Sequence, residues 1–547
     1  MNTNLYKITD PENQTAELEE IAALLRAGET VAIPTETVYG LAANALDPDA
    51  VKKIFIAKGR PQDNPLIVHI AETGALYEIA AAVPDAALRL AEAYWPGPLT
   101  VILPKKDAIP ENVSAGLDTV AIRMPSHPVA RAIIKAAGVP LAAPSANISG
   151  FPSPTDAETV CDDMTGKVAA IVDGGPCDFG IESTVVTLAS PVPRVLRPGA
   201  VTVEQLEAVL GKVEVDEAVL HPLKKDAVAA SPGMKYKHYS PKAQLYIVRG
   251  DLKAFVSYVY RHKEEADHCL CFEGEERFLP LPAVTFGKEA EPLTQSHSLF
   301  DALRQLDRQG AKTVFAREPK TEGVGLGVCN RLFRAAGFRF LEDAPENRSG
   351  KLLGLCGLSG AGKTTVCSLL RARGAEIVDT DLIAREIVET GSPTLETLAN
   401  TFGRDILRPD GSLNRNALAA KAFASEEGAK ELTAITHPAI IQKTLAQAFA
   451  AAANGKTAVI DAPLLFTAGL DRLCDLTAAV TAPEDVRRAR IRARDGLPDE
   501  EINKRFAAQK EEAEKAAAAD FVLKNYPPYD PEEETGRLWR TLRDANA

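Results

Sequence analysis

Residues 351–364 read KLLGLCGLSGAGKT, and this stretch decides the fold of the C-terminal part of the chain. Its apolar first half, from Lys351 to Cys356, predicts a buried β-strand. Its second half has the spacing G-x-x-x-x-G-K-T, and a helical apolar pattern follows it. Strand, glycine loop and helix in this order are typical of a phosphate-binding loop. In such a loop, backbone N–H groups close around phosphate oxygens at a helix N-terminus.

The residue types in this loop and after it indicate phosphoryl transfer. We expect Lys363 to reach the β- and γ-phosphates of ATP, and the Thr364 hydroxyl to bind Mg²⁺. The next predicted strand ends in Asp379 and Asp381, and a carboxylate at that place suits the base that deprotonates an attacking hydroxyl. The other loop residues expected to contact the nucleotide are Gly360, Ala361, Gly362 and Thr365.

An arginine-dense segment follows about 120 residues later. Its basic residues are Arg487, Arg488, Arg490, Arg492 and Arg494. Two interpretations stay open from the pattern alone. The segment is either a solvated basic helix face or a lid that closes over a triphosphate, neutralises charge and excludes water.

Taken together, residues 351–525 resemble the dephospho-CoA kinase family. Besides the phosphate loop and the Asp-x-Asp strand, the resemblance rests on Asp410-Gly411, Leu413-Asn414-Arg415, His437-Pro438, Pro463-Leu464-Leu465-Phe466, Arg494-Asp495-Gly496, Arg505, Gln509, Asp520 and Asn525. It implies a P-loop kinase with a parallel sheet and a helical lid, which transfers phosphate from Mg-ATP to the ribose 3′-hydroxyl of dephospho-CoA. It further implies that Asp381 is the base and that Arg490 and Arg494 belong to the lid.

Two positions depart from the family pattern, and a rival activity stays open. Thr467 follows Leu-Leu-Phe where the family usually has Glu, and Arg487 stands where Gln is frequent. Both departures bear on how the acceptor substrate is bound rather than on the phosphoryl-transfer reaction. The rival is a nucleoside monophosphate kinase, and use of dephospho-CoA against AMP or CMP separates the two.

The N-terminal part carries a second set of polar residues at predicted strand ends. Lys58 and Arg60 precede a proline-bounded loop, and this pair of cations suits a triphosphate. Further polar stretches flanked by Gly and Pro indicate a concave polar site rather than a core: Thr35 to Leu41, Trp95 to Thr100, Ala143 to Gly150, Glu182 to Val185 and Leu196 to Gly199.

Residues 10–210 resemble the threonylcarbamoyl-AMP synthase family. The resemblance implies a YrdC-like α/β domain that makes L-threonylcarbamoyl-AMP and pyrophosphate from L-threonine, bicarbonate and ATP, for a tRNA modification. The implied ATP contacts are Lys58, Arg60, Asn64, Thr119, Ser145, Asn147 and Arg197, and the implied threonine contacts are Thr37, His69, Arg123 and Ser183. Lys58 and Arg60 would steady the departing pyrophosphate. With no evident nucleophile, catalysis would rest on positioning and charge stabilisation.

The segment after this domain matches the longer form of the same family. Residues 231–241 resemble its linker, which is expected to close over the synthase site as a lid with Tyr236 near ATP. Residues 243–345 resemble its appended domain, a small Rossmann-like α/β unit. We interpret the glycine-rich turn at Gly323 to Gly327 as structural.

Length and composition set the limits for these predictions. The 547 residues divide into predicted domains at 1–210, 243–345 and 351–547, joined by a linker or lid at 211–242 and a polar linker at 346–350. Strands at Thr30–Pro34, Leu66–Ile70 and Val120–Arg123 and a helix at Pro84–Ala93 predict an α/β and α+β multidomain protein. A fragment that starts at Gly350 is therefore expected to be an active kinase.

Charge and cysteine content exclude several functional classes. The net charge of −13 disfavours stable nucleic-acid binding, which needs clustered positive charge. The eight sparse cysteines indicate reduced thiols. Cys269 and Cys271, near His262 and His268, are interpreted as part of a buried strand rather than a metal site.

The expected protein is therefore a bifunctional cytoplasmic enzyme that uses ATP and Mg²⁺. Without an apolar run of membrane-spanning length or a signal segment, no membrane partner is predicted. The expected partners are small-molecule substrates, with the tRNA threonylcarbamoyl-transfer machinery downstream. An RNA-binding module in place of the synthase is the alternative for the N-terminal half, and pyrophosphate release that depends on threonine and bicarbonate separates the two.

Overall fold

The computed structural model describes residues 2–222, 239–342 and 350–544. The chain forms two compact units. The first unit comprises Met1–Ile247, Glu265–Glu273 and Pro282–Leu341, and the second comprises Val248–Glu264, Gly274–Leu281 and Glu342–Ala547. The division differs from the predicted boundaries because two short segments of the predicted 243–345 domain pack with the C-terminal part of the chain.

The first unit is built on a mixed sheet of eleven strands in the order β1-β8-β2-β3-β7-β4-β6-β5-β9-β10-β11. In chain order these strands are β1 Asn4–Lys7, β2 Val31–Ile33, β3 Gly40–Asn44, β4 Ile67–His69, β5 Leu99–Pro104, β6 Thr119–Arg123, β7 Leu141–Ala142, β8 Ala170–Asp173, β9 Thr184–Thr187, β10 Arg194–Arg197 and β11 Glu214–Val215. The predicted strands at Thr30–Pro34, Leu66–Ile70 and Val120–Arg123 are confirmed within one or two residues. Parallel pairs (β4 with β6, β5 with β9) alternate with antiparallel ones (β5 with β6), so the sheet belongs to neither pure class.

Helices cover this sheet with apolar faces at helical spacing. Helix Pro128–Ala137 buries Val129, Ala130, Ile133, Ile134 and Ala137, which recur every three or four residues and so form one stripe. It packs against helix Thr15–Arg26 in one of the hydrophobic cores of the unit. The other helices of this part of the chain are Pro48–Lys58, Leu76–Ile79, Asp85–Tyr94, Glu111–Ser114, Ala157–Met164 and Val203–Leu210, with short 3₁₀ turns at Thr73–Ala75 and Glu217–Val219.

A second sheet of five strands has the order β14-β13-β15-β12-β16. Its strands are β12 Gln244–Val248, β13 His268–Cys271, β14 Ala283–Thr285, β15 Thr313–Arg317 and β16 Phe340–Leu341, and helices Pro292–Arg308 and Gly325–Ala335 accompany them in the first unit. Cys269 and Cys271 are buried in β13, as the strand interpretation requires. Gly327 packs so closely on the first sheet's loops that an added Cβ would lie 2.9 Å from Ile181 Cδ1. The glycine-rich turn therefore has a packing role.

The second unit contains a fully parallel sheet in the order β18-β19-β17-β20-β21. Its strands are β17 Leu352–Gly357, β18 Glu376–Asp379, β19 Ala458–Asp461, β20 Leu476–Thr481 and β21 Phe521–Lys524. Its helices are Leu252–His262, Lys363–Ala372, Thr380–Glu386, Pro393–Phe402, Arg415–Ala422, Glu426–Ala453, Glu484–Asp495, Asp499–Ala508, Lys510–Ala516 and Pro531–Asp544, with 3₁₀ turns at Glu276–Phe278, Arg404–Ile406 and Leu470–Leu473. The predicted parallel sheet and the predicted strand at Lys351–Cys356 are confirmed.

Two segments from the middle of the chain complete the second unit. Helix Leu252–His262 packs on the long helix Glu426–Ala453, where the Tyr260 ring lies 5.2 Å from that of Phe449 and the Tyr260 hydroxyl donates to the Gln442 carbonyl. Lys253 forms an ion pair with Asp475. The 3₁₀ turn Glu276–Phe278 packs on the same long helix. None of the described helices has both the length and the apolar character to cross a membrane.

Two candidate active sites

The first unit has a cleft of about 710 Å³, counted to its open mouth, where several strand ends and loops meet. Eight predicted residues line it: Lys58, Arg60, His69, Arg123, Ser145, Asn147, Ser183 and Arg197. They come from segments far apart in the chain, so the fold gathers them into one concave polar surface.

Lys58 is the last residue of helix Pro48–Lys58 and is only 2% exposed. Its Nζ donates to the Asn147 carbonyl at 2.6 Å, to Asn147 Oδ1 at 3.2 Å and to the Ser145 carbonyl. Burial, together with the nearby Arg60 charge, holds the pKa of Lys58 well below its ordinary value. Lys58 thus holds the 145–147 loop in place by hydrogen bonds. Arg60 donates to the carbonyls of Asn64 and Pro65.

A buried cation lies at the end of β6. Arg123 Nη1 donates to Thr37 Oγ1 at 2.8 Å, and its Nη2 approaches Glu36 Oε1 to 2.8 Å without an aligned hydrogen bond. Burial would raise the pKa of Glu36, but the Arg123 charge holds it below its ordinary value. Arg123 is therefore ion-paired with the Glu36 carboxylate, while an N–H of its Nη2 remains able to donate a hydrogen bond.

His69 ends β4 beside Arg123 in the parallel register. Burial and the Arg123 charge lower the pKa of His69 to about 3. The imidazole is therefore neutral at physiological pH, and it can act there as a hydrogen-bonding group but not as a cation.

The lining of the cleft also contains Ser183 and Arg197. The Ser183 hydroxyl lies 2.8 Å from Thr100 Oγ1 and accepts from Arg197 Nη2 at 3.1 Å. Arg197 Nε donates to the Ser183 carbonyl at 3.0 Å. Burial lowers the pKa of Arg197 to about 10, so the guanidinium keeps its charge at neutral pH.

Tyr239 and Arg331 were not predicted as residues of this site, and Glu182 was predicted only as part of the polar stretch Glu182 to Val185. Glu182 and Tyr239 line the cleft, and Glu182 Oε2 accepts from Arg331 Nε at 2.8 Å. Arg331, on helix Gly325–Ala335, also donates to the Pro198 and Glu182 carbonyls and is fully buried. Nothing local in the sequence marks this pair, since its members lie 149 positions apart.

The remaining predicted residues of the synthase site lie elsewhere. Thr37 contacts Arg123 behind the cleft wall. Both amide atoms of Asn64 are buried without a hydrogen-bond partner among the described residues. Thr119 begins β6, four residues before Arg123 and so about 13 Å along the strand. Tyr236 and the predicted linker segment up to residue 238 lie outside the described residues.

In the second unit, the loop after β17 has the geometry of a phosphate cradle. Gly360 and Gly362 have φ of 80° and 91°, in the left-handed region. A Cβ on Gly362 would lie 2.1 Å from Asn525 Nδ2, so only glycine fits. Arg490 donates to the carbonyls of Gly360, Ala361 and Asn525 at 3.2, 3.2 and 2.9 Å. The predicted lid residue Arg490 therefore lies against the phosphate loop.

Three acidic side chains meet where β18 and β19 end. Lys363 Nζ lies 2.5 Å from Asp461 Oδ1, and Asp461 pairs in register with Asp379. Asp379 caps helix Thr380–Glu386 by accepting from the N–H groups of Asp381 and Leu382. Asp379 and Asp381, the two carboxylates predicted for base or metal work, therefore have different roles. The Asp379 carboxylate accepts hydrogen bonds from backbone N–H groups and caps the helix.

Asp381 lines a pocket of about 550 Å³. Its other lining residues are Thr380, Ala384, His437, Ile440, Ile441, Ala462, Pro463, Leu464, Ala468 and Leu470. Loss of hydration raises the pKa of Asp381, Lys363 opposes the shift, and the Asp379 and Asp461 carboxylates add to it. A carboxylate with a raised pKa at the end of an otherwise mostly apolar pocket is suited to accept a proton.

The arginine-dense segment forms helix Glu484–Asp495, as both interpretations of its pattern expect. The arginine side chains of this helix point in different directions. Arg488 pairs with Glu484 and Asp499, and Arg494 forms an ion pair with Asp495 while its side chain is largely exposed. Arg494 is therefore not brought to the phosphate loop in this structure, whereas Arg490 is.

Comparison with known proteins follows the same division. The family model described as "Telomere recombination" matches residues 23–199, and "Threonylcarbamoyl-AMP synthase, C-terminal domain" matches residues 201–337. The model described as "Dephospho-CoA kinase" matches residues 351–528. Threonylcarbamoyl-AMP synthase of Bacillus subtilis is 47% identical over 343 residues, which are 62% of this chain and 97% of that protein. Dephospho-CoA kinase of Anaeromyxobacter dehalogenans is 46% identical over 195 residues, which are 36% of this chain and 92% of that protein.

The chain belongs to the threonylcarbamoyl-AMP synthase and dephospho-CoA kinase families. The solved structure of P. abyssi Sua5 complexed with L-threonine is 41% identical, has a TM-score of 0.58, and covers 62% of this chain and 99% of that one. Both family resemblances drawn from the sequence are confirmed. We refer below to residues 23–337 as the synthase region and to residues 351–528 as the kinase region.

The structure explains the two departures of the kinase region from its family pattern. The Thr467 hydroxyl and N–H donate to Glu512 Oε2 at 2.7 and 3.0 Å, so a carboxylate from helix Lys510–Ala516 lies at this loop. The Arg487 guanidinium stacks on Phe506, 4.3 Å from the ring centroid. Its backbone packs on Gly360, so Arg487 joins the lid helix to the phosphate loop.

Proposed function

We propose that this chain is a bifunctional ATP-dependent enzyme. The cleft of the first unit would convert L-threonine, bicarbonate and ATP into L-threonylcarbamoyl-AMP, pyrophosphate and water. The phosphate loop and the pocket at Asp381 would transfer a phosphate from ATP to the 3′-hydroxyl of dephospho-CoA.

The buried Arg123 carries the proposal for the synthase region. A free amino acid presents a carboxylate, and a guanidinium binds carboxylates in a fork. Arg123 Nη2 keeps an N–H in a position not aligned with Glu36, and the neutral His69 and the Ser183 hydroxyl offer uncharged hydrogen bonds beside it. These groups suit a small polar molecule with one negative charge.

The nucleotide would occupy the other end of the same cleft. Lys58 holds the 145–147 loop, and Ser145, Asn147 and Arg197 face the cleft with it. Arg60 and Lys58 would contact the departing pyrophosphate, and Arg60 would supply most of the positive charge because burial lowers the pKa of Lys58. With no nucleophilic side chain assigned, the residues act by orienting the reactants and stabilising charge. Tyr236, in the proposed lid, would shield the nucleotide from water.

The link from Asp381 to the phosphate loop carries the proposal for the kinase region. Lys363 and the N-terminus of helix Lys363–Ala372 would hold the terminal phosphates, and Arg490 would add positive charge on the lid side. Asp381 would take the proton from the acceptor hydroxyl as that oxygen bonds to the γ-phosphorus. Proton acceptance by Asp381 needs the ionised carboxylate, so activity falls when the pH drops towards its raised pKa.

The residues of the kinase region fit a magnesium ion bound chiefly through ATP. The Thr364 side chain is exposed at the start of its helix, close in sequence to Lys363, which pairs with Asp461. The described residues hold no group of three or more His, Cys, Asp or Glu side chains placed for a metal. Mg²⁺ usually keeps several waters and binds one or two protein ligands plus phosphates, and it would neutralise phosphate charge here. Thr364 would be its protein ligand.

The cellular setting follows from these reactions. Both substrate sets are small and soluble, so the proposed location is the cytoplasm. Threonylcarbamoyl-AMP is a labile adenylate, and the machinery that transfers its threonylcarbamoyl group to tRNA would consume it.

One assay series on the intact chain tests both proposals. Pyrophosphate release is measured with ATP and threonine, with and without bicarbonate, and ADP formation is measured separately with dephospho-CoA. Release of pyrophosphate only when threonine and bicarbonate are both present supports the synthase proposal, whereas RNA binding without turnover refutes it. Phosphorylation of AMP or CMP in preference to dephospho-CoA refutes the kinase proposal.

A further inference from the structure

The pocket at Asp381 is short of positive charge for the acceptor that it would hold. Dephospho-CoA carries a diphosphate, which is anionic at neutral pH. Among the described residues that line this pocket, His437 and Asp381 are the titratable ones, and neither Lys nor Arg is present. Arg415 lines an adjoining pocket that shares Ala384 and Ile440. Besides Arg415, a second cation is therefore needed on the wall near Asp381, to balance the charge of the acceptor's diphosphate beside that carboxylate.

That wall is in contact with a residue from outside the kinase region. A Cβ built on Gly469 would lie 2.8 Å from Arg277 Nη2 and 3.3 Å from Phe278 Cζ. The neighbours of Gly469 in the chain, Ala468 and Leu470, both line the pocket. Arg277 therefore packs against the loop that forms this wall. Its guanidinium reaches the loop from the 3₁₀ turn Glu276–Phe278.

The electrostatics agree with this placement. Burial, followed by the Arg277 charge, lowers the pKa of the pocket residue His437. The pKa of Arg277 itself is lowered by burial first and by Arg472 next, while Glu276 and Asp471 oppose the shift. The Arg472 charge thus acts on Arg277 from the 3₁₀ turn Leu470–Leu473, which follows Gly469 in the chain.

Arg277 has hydrogen-bonding capacity that the described part of the protein does not use. Its Nε is buried without a hydrogen-bond partner there, and Glu276 and Asp471 act on its guanidinium only through charge, without an ion pair among the described residues. Its one recorded ring contact is with Phe278, 4.7 Å from the ring centroid. A guanidinium that is partly buried, lies near another cation and forms no ion pair within the described part of the chain is suited to bind an anionic group from a ligand.

We propose that Arg277 binds the diphosphate group of the acceptor at the rim of the Asp381 pocket. The inference rests on the proposed kinase function and names one of its acceptor-binding residues. Arg277 lies in the synthase region of the sequence, between β13 and β14, and packs in the second unit. The kinase of this chain therefore takes one specificity-determining residue from the polypeptide that precedes it.

The test compares Arg277→Gln and Arg277→Lys with a matched control in the full-length chain. The control is Arg308→Gln, since Arg308 is exposed and pairs with Asp301 on the first unit. Steady-state kinetics give KM for dephospho-CoA and for ATP, and calorimetry gives the Kd of dephospho-CoA without ATP. Arg277→Gln should raise KM and Kd for dephospho-CoA about tenfold, which corresponds to about 1.4 kcal/mol. KM for ATP should stay within twofold, and Arg277→Lys should recover part of the loss.

Further readouts separate binding from structural support. Added salt should weaken dephospho-CoA binding to the parent chain more than to Arg277→Gln, because the variant lacks the screened interaction. An unchanged KM for dephospho-CoA, or equal increases for both substrates, would overturn the proposal. If Arg277→Gln is unstable, Arg277→Lys decides: parent-like salt dependence and a KM within threefold support anion binding, and a loss as large for ATP as for dephospho-CoA refutes it. Absence of dephospho-CoA turnover in the parent chain would instead refute the proposed function.

Discussion

Replacing Arg331 by Met should strongly destabilise the first unit. Arg331 is 0% exposed and donates to Glu182 Oε2, the Pro198 carbonyl and the Glu182 carbonyl at 2.8, 2.7 and 3.0 Å. Met keeps much of the volume but leaves the Glu182 carboxylate buried without its cation. Removing one partner of a buried ion pair costs about 3–5 kcal/mol, and we expect a loss in this range.

The two tryptophans allow this loss to be measured unit by unit. Trp95 lies in the first unit and Trp539 in the second, and the chain has no others. Urea unfolding followed by fluorescence in a Trp539→Phe background reports on the first unit alone. In the complementary Trp95→Phe background, Arg331→Met should leave the transition of Trp539 unchanged.

Two results decide the reasoning about Arg331. The double variant Glu182→Gln with Arg331→Met removes both charges, so it should be more stable than Arg331→Met alone. In the parent chain the pKa of Glu182 is lowered in spite of burial, because Arg331 and Arg197 stabilise its charge. This contribution is present above the ordinary pKa of glutamate and is lost as the pH falls below it. Without Arg331, burial raises the pKa of Glu182, so the loss of stability should be smaller at pH 5 than at pH 7.5. A loss below about 1 kcal/mol at pH 7.5 would refute the argument.

Other predictions concern the two active sites and the boundary between them. Arg60→Ala should abolish threonine-dependent pyrophosphate release while dephospho-CoA phosphorylation continues at the parent rate; synthase turnover within a few-fold of the parent would contradict the assignment of this loop. Lys363→Ala should raise KM for ATP, whereas Asp381→Asn should lower kcat with little change in KM for ATP. The kcat of the parent kinase should fall on acidification with a midpoint above the ordinary aspartate pKa, since the pKa of Asp381 is raised and its carboxylate is the active form; a pH-independent kcat down to pH 4 would argue against Asp381 as the base. A fragment 350–547 should keep its affinity for ATP but melt at a lower temperature and have a higher KM for dephospho-CoA, measured by calorimetry and steady-state kinetics; parent-like values for both would contradict the packing argument.

The phosphate loop could be predicted because all its information is local. A strand, eight positions of defined spacing and a helix lie within about 20 consecutive residues. The positive φ angles of Gly360 and Gly362 and the close approach of Asn525 are the physical reasons for those glycines. For the cleft of the first unit, polar motifs at strand ends predicted a concave polar site and the Lys58–Arg60 pair, whereas the other lining residues were implied by the family resemblance.

Side-chain direction could not be predicted from such patterns. Asp379 and Asp381 are equivalent in the sequence motif, yet one caps a helix and the other lines a pocket. Likewise Arg490 and Arg494 lie one helical turn apart, but Asp495 holds Arg494 away from the phosphate loop. These outcomes depend on local partners that only the folded chain supplies.

The packing of earlier segments on the kinase region was the least accessible feature. The polar residues around 346–350 indicated that the kinase begins there as an independent body. Tyr260, Lys253 and Phe278 instead pack on the kinase from earlier in the chain. Contacts between residues so far apart in sequence leave no periodic or compositional signal in either segment.

The early position of these segments has a consequence for synthesis on the ribosome. Tyr260 and Phe278 leave the exit tunnel before their partner helix, whose Phe449 is encoded about 170 residues after Phe278. At about 5–20 residues per second, their apolar surfaces wait roughly 10–30 s for that helix. During this interval the nascent chain exposes apolar surface that is covered in the folded protein. Chaperone demand should therefore be greatest midway through translation, and slow codons between the two segments should lower the soluble yield.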